Sequence, residues 1–70
     1  MAFFKISSAA YNIYKDGKLH AVCNDEMGTV MAAVRYCREP GVSVMVEEVH
    51  LDGSTSVYDW EKSYHELCNQ

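Results

Sequence analysis

Proline occurs once in these 70 residues, at Pro40, and the four glycines, at 17, 28, 41 and 53, stand singly. Scattered glycines exclude a Gly-rich loop of the kind that cradles phosphate, which needs several in one turn. Cysteine is scarce and odd in number: Cys23, Cys37 and Cys68 are well spread. Such a set reads as reduced thiols in a cytoplasmic chain rather than as a disulfide framework. No apolar run approaches the roughly 20 residues that span a bilayer, so no membrane role is expected. The start Met1-Ala2-Phe3-Phe4-Lys5 is not expected to be a secretion signal, because Lys5 interrupts its apolar run. Positive charge is also short. Six Lys and Arg face ten Asp and Glu, a net −4. Residues 1–35 hold four basic against three acidic side chains, and residues 36–70 hold two against seven, so the second half alone carries −5. A surface of that sign repels nucleic-acid phosphate, and no direct nucleic-acid binding is expected.

What the chain does hold is a balanced set of apolar residues, 49% of the total, as in a folded domain. Seventy residues make one small domain over 1–70. It buries only about 60% of its unfolded surface and is marginal without help from disulfides, metal or association. The one long helical pattern runs from Asn24 to Arg38. Met27, Val30, Met31, Val34 and Cys37 make its apolar stripe. Asn24 is the expected N-cap, Asp25 and Glu26 suit the first turn, and Arg35 and Arg38 suit the last. Pro40-Gly41 ends the helix.

Strand patterns flank this helix in pairs. Phe3 to Tyr14 reads as strand, with a change of phase near Ser7–Ala10 where a bulge or a break is expected. Asp16-Gly17 signals a hairpin turn. A two-residue loop there sets Tyr14 opposite Leu19, Ile13 opposite His20 and Tyr11 opposite Val22. Val42 to Leu51 is the third strand, with a bulge expected near Glu47 where the alternation breaks. Asp52-Gly53 is the second turn. Val49 then faces Ser56 or Thr55, depending on loop length. Ser54 to Tyr58 returns as the fourth strand. Asp59 caps a short final helix whose apolar edge is Trp60, Tyr64, Leu67 and Cys68, with Trp60 as its anchor. The expected fold is α+β: a four-stranded antiparallel sheet from two β-hairpins with one central helix packed on a face (ββαββ), plus a short C-terminal helix.

One helix covers one face of a sheet, yet both parities of these strands hold apolar residues. An antiparallel sheet facing water normally shows polar side chains there. Tyr11, Ile13, Val22, Met45, Val57, Tyr58 and Trp60 are therefore candidates for an uncovered apolar surface, which normally marks an interface.

Chemistry-bearing residues are few. His20 and Cys23, three apart on a strand, are expected on opposite faces. His65 and Cys68 share a helix face, but two ligands do not make a zinc site. Cys37 reads as a small buried hydrophobe. Gly28 inside the first helical turn calls for a close approach to the sheet or a frayed end. Glu47, Glu48, Asp59 and Glu61 form the densest acidic group, with nothing to suggest the burial that acid–base catalysis requires. The tyrosines and Trp60 lack the basic groove that base-stacking proteins pair with aromatics. No catalytic residue, cofactor or metal is expected.

Two functional expectations follow. The first is a small non-enzymatic protein-interaction module that self-associates, as a homodimer, through an uncovered sheet face or edge strand. The second is an acidic inhibitor that docks Glu47, Glu48, Asp59 and Glu61 on the basic surface of a nucleic-acid-binding protein. In size and charge alone, the chain is similar to many small phage-borne inhibitors of host defence.

Overall fold

A computed structural model describes residues 8–69. The chain runs β1 (Ser8–Lys15), β2 (Lys18–Cys23), α1 (Glu26–Cys37), β3 (Val44–His50), β4 (Thr55–Tyr58) and α2 (Trp60–Cys68). The strands form one antiparallel sheet in the order β2-β1-β3-β4. This is the expected ββαββ arrangement with a C-terminal helix. The expected strand positions Phe3 to Ser7 lie outside the described residues.

Both hairpin turns follow from their Asp-Gly pairs. Asp16 and Gly17 have φ of 52° and 82°. Positive φ at both central positions gives the turn whose twist matches that of its strands. The Asp16 backbone N–H donates to the Ser43 carbonyl at 2.8 Å, and its carboxylate accepts from the Ser43 N–H at 3.0 Å. The hairpin tip is thereby fastened to the chain entering β3. At the second turn Gly53 has φ of 90°, and His50 N–H donates to the Ser54 carbonyl at 2.8 Å. Val49 faces Thr55, so of the two registers the sequence allows, the longer loop is the one adopted. The Ser54 hydroxyl and N–H both donate to Asp52 and hold its carboxyl below the usual carboxylate range.

Strand registers depart from expectation in two places. Tyr14 faces Leu19 as expected, but Ile13 faces Ala21 and Tyr11 faces Cys23, because His20 is an extra residue in β2. The expected bulge near Glu47 is absent: β3 pairs with β1 without interruption from Val44 to Val49. The irregularity of that ladder lies instead between Ser8 and Ala10, where the sequence changes phase.

The helix begins one residue later than expected. Asp25, in extended backbone conformation, is the N-cap, and its carboxylate accepts the Gly28 N–H at 2.7 Å. This explains Gly28 better than a close approach to the sheet. A β-carbon there would sit 2.8 Å from the capping carboxylate oxygen. The buried stripe is also rotated from the expected one. Thr29, Val30, Ala33 and Val34 face the sheet, while Met27, Met31 and Cys37 are exposed. Small side chains at 29 and 33 let the helix lie close, and the Thr29 hydroxyl is satisfied by the Asp25 carbonyl at 2.7 Å. Cys37, expected inside, ends the helix in solvent, its thiol donating to the Val34 carbonyl at 3.1 Å.

The sealed core lies between α1 and the two central strands. Tyr11, Ile13, Val30, Ala33, Val34 and Val46 are its buried hydrophobic residues. α2 rests chiefly on α1, with Trp60 packed against the edge of this core. It is capped by Asp59, whose carboxylate accepts the Lys62 N–H at 3.1 Å. Both helices lie on the same side of the sheet.

Candidate interaction surface

Alternation along a strand assigns each residue to a face, and the registers align those residues into rows. On the helix side, one row runs Ala21, Ile13, Val46 and Tyr58, and the next runs Cys23, Tyr11, Glu48 and Ser56. Ile13 and Val46 are 0% exposed. Tyr58 closes this side. Its ring meets that of Tyr11 edge-on at 5.3 Å between centroids. Its hydroxyl donates to the Glu26 carboxylate at the start of α1 and accepts from the Ser63 hydroxyl of α2 at 2.7 Å. One side chain therefore joins β4 to both helices. Burial and the bond to Glu26 push its phenol up to about 12. At the other margin His20 and Lys15 both pack on the ring of Tyr36, at 4.8 Å and 5.1 Å, and Lys15 pairs with Glu39 at 2.6 Å.

The opposite face has no described element over it. Its middle row is Val22, Asn12, Glu47 and Val57, and its next row is Leu19, Tyr14 and Met45. Val57 is 76% exposed, Val22 57% and Leu19 56%, and Met45 also lies in solvent. At the centre, one carboxylate oxygen of Glu47 accepts from the Asn12 amide at 3.0 Å and the Tyr14 hydroxyl at 3.1 Å. The bond to Glu47 raises the Tyr14 phenol above its ordinary value. The face is thus an apolar rim around a small, internally bonded polar centre. Glu47 is the only carboxylate in the strand rows of this face among the described residues; Asp59 and Glu61 lie at its β4 margin, beside Met45 and Val57.

The seven residues expected at an uncovered surface divide between the faces. Val22, Met45 and Val57 lie on the open one. Tyr11 and Ile13 do not: they are the floor of the core, because their strand parity is the one α1 covers. Tyr58 and Trp60 are also on the helix side and hold α2 in place. Leu19, Tyr14 and Asn12 join them there, and a third row of Ala10, Val49 and Thr55 completes the open face among the described residues. The signal for them was the parity of β1, in which Asn12 and Tyr14 carry polar tips and Ile13 does not.

The acidic candidates are dispersed. Glu47 lies on the open face and Glu48 on the helix side, Asp59 caps α2, and Glu61 occupies its first turn. His20 and Cys23 fall on the same side, against expectation, because the extra residue in β2 reverses the parity. His50 pairs with the Ser56 hydroxyl at 2.9 Å, and His65 lies beside the Tyr64 ring. Among the described residues no three His, Cys, Asp or Glu side chains converge as metal ligands. No helix among them is long and apolar enough to cross a membrane. The chain matches no protein-family model, no curated protein and no solved structure.

Proposed function

We propose that this chain is a small non-enzymatic protein-interaction module that docks through its open sheet face, with a second copy of itself as partner. The observation that carries the reading is the exposure of Leu19, Val22, Met45 and Val57 together on the face opposite both helices. Scattered exposed apolar residues need no explanation, but a contiguous patch does. A chain this small has a further reason to associate, since its own core is slight. The size of the face suits a reversible dimer. Four strands about 4.8 Å apart and about six residues long present roughly 400 Å² in plan; two such faces, roughly 800 Å², fall below the roughly 1,000–1,200 Å² of a stable interface, so the contact is a weak, reversible one.

The second reading, docking of an acidic patch on a basic protein, has less support. Its four carboxylates occupy different places, and Asp59 is engaged in capping a helix. Size-exclusion chromatography with light scattering at micromolar concentration tests the first reading. The expected mass is about twice the 7.9 kDa of one chain, reverting to one chain in Val57→Lys. A single-chain mass for the unaltered protein at every concentration contradicts it.

A further inference from the structure

The orientation of the partner can be taken further, resting on the open-face reading. Across β1 and β3, Asn12 stands beside Glu47 and Tyr14 beside Met45. The Asn12–Glu47 row continues to Val22 on β2 and Val57 on β4. From edge to edge it is valine, amide, carboxylate, valine.

Sheets stacked face to face lie about 10 Å apart with their strands within about 30° of each other. The two-fold axis of such a pair lies in the plane between them, along the strands or across them. An axis along the middle row, across the strands, sets that row over its own copy. Glu47 then meets Glu47 of the partner subunit, two carboxylates with no described cation on the face to separate them. An axis along the strands, between β1 and β3, exchanges the two sides of the row. Val22 then lies over the partner's Val57, and Glu47 over the partner's Asn12. Met45 lies over the partner's Tyr14, a sulfur-to-ring contact that is itself favourable. Asn12 uses one amide N–H on its own Glu47 at 3.0 Å. That amide also bonds toward the Tyr14 hydroxyl of its own chain, so this orientation sets an amide, rather than a second carboxylate, over each Glu47.

We infer that the partner is a second copy stacked about the axis that runs along β1 and β3, with amide over carboxylate and valine over valine. The contacts occur twice, as a two-fold interface requires.

Crosslinking distinguishes the two orientations. Val22→Cys and Val57→Cys chains are prepared separately in a Cys23→Ala, Cys37→Ser, Cys68→Ser background, checked for native circular dichroism, and treated with a short bis-maleimide. The equal mixture is expected to give at least tenfold more covalent dimer than either chain alone. Val22→Cys linking to itself as efficiently as in the mixture overturns this orientation and leaves the open-face reading standing. Dimer by light scattering with no crosslink in any sample overturns the orientation as well. A monomer by light scattering overturns the reading beneath it. A second readout needs no engineered thiol. In a mixed isotope-labelled sample, filtered nuclear Overhauser contacts are expected between the Met45 methyl and the partner's Tyr14 ring. Contacts from that methyl to the partner's Val49 in their place contradict the proposal.

Discussion

The two faces of the sheet are built from the same four strands, one residue out of step, and they differ in how they are closed. On the helix side Ile13 and Val46 are sealed by Val30, Ala33 and Val34, and Tyr58 bonds the margin to both helices. On the other side the neighbours of those residues, Asn12, Met45 and Val57, meet solvent with only a small hydrogen-bonded centre of their own. Neither face has the polar alternation of a sheet designed for water. The lesson is that, among the described residues, helix covers one side of the sheet only, and the proposed docking rests on the other.

The sharpest contrast comes from truncating each face in turn. Ile13→Ala, on the sealed side, is expected to cost roughly 2–5 kcal/mol. That is a large share of the stability of a 70-residue domain, and urea or thermal unfolding followed by circular dichroism measures it. Val57→Lys, on the open side, is expected to change monomer stability by no more than about 0.5 kcal/mol. It should weaken self-association at least about tenfold, or ~1.4 kcal/mol, by sedimentation analysis. Equal unfolding costs for the two variants would erase the distinction between the faces.

Tyr58 gives a smaller effect with a pH signature. Tyr58→Phe removes the hydroxyl that ties β4 to α1 and α2, at an expected cost of about 1 kcal/mol. Because the folded state raises this phenol from 10.0 to about 12, its contribution is present in full below pH 10.0. It is lost as pH rises through about 12. The unaltered protein should therefore lose stability over that alkaline window relative to Tyr58→Phe, as denaturant midpoints at a series of pH values would record.

The smallest effect touches neither face. Asp25→Ala removes the α1 cap, for about 1 kcal/mol, and leaves association unchanged. Gly28→Ala should be unfavourable with Asp25 present, because its β-carbon meets the capping carboxylate at 2.8 Å. In the Asp25→Ala background it should become favourable, by up to about 1 kcal/mol. A double-mutant cycle reads that coupling.

The parts of this fold written in local chemistry were legible beforehand. Asp16-Gly17 and Asp52-Gly53 marked both hairpins because positive φ is a local demand. The helix from residue 26 to 37 and the cap at Asp59 announced themselves through period and polarity. What escaped depended on contacts distant in sequence. The extra residue at His20 shifts β2 by one, which returns Cys23 to the helix side. The smooth passage of β3 through Glu47 could not be read from its own alternation, because Asn12 and Tyr14, on another strand, provide the donors that hold Glu47 on the open face. The rotation of α1 onto Thr29 and Ala33 reflects close approach to the sheet, whereas period alone favoured Met27 and Met31. That one sheet face would carry apolar residues with no described element over it was legible. Its membership was only partly so, since Tyr11 and Ile13 had to yield their places to Leu19 and Tyr14.

Methionine oxidation tests the central claim with an internal control. Met45 lies on the open face, while Met27 and Met31 lie on the exposed flank of α1. Conversion to sulfoxide by dilute peroxide, followed by mass spectrometry across a range of protein concentrations, reports the cover over each. If a second copy occupies the open face, Met45 oxidation slows as concentration rises while Met27 and Met31 keep their rates. Three rates independent of concentration, or protection confined to Met27 and Met31, would contradict the account.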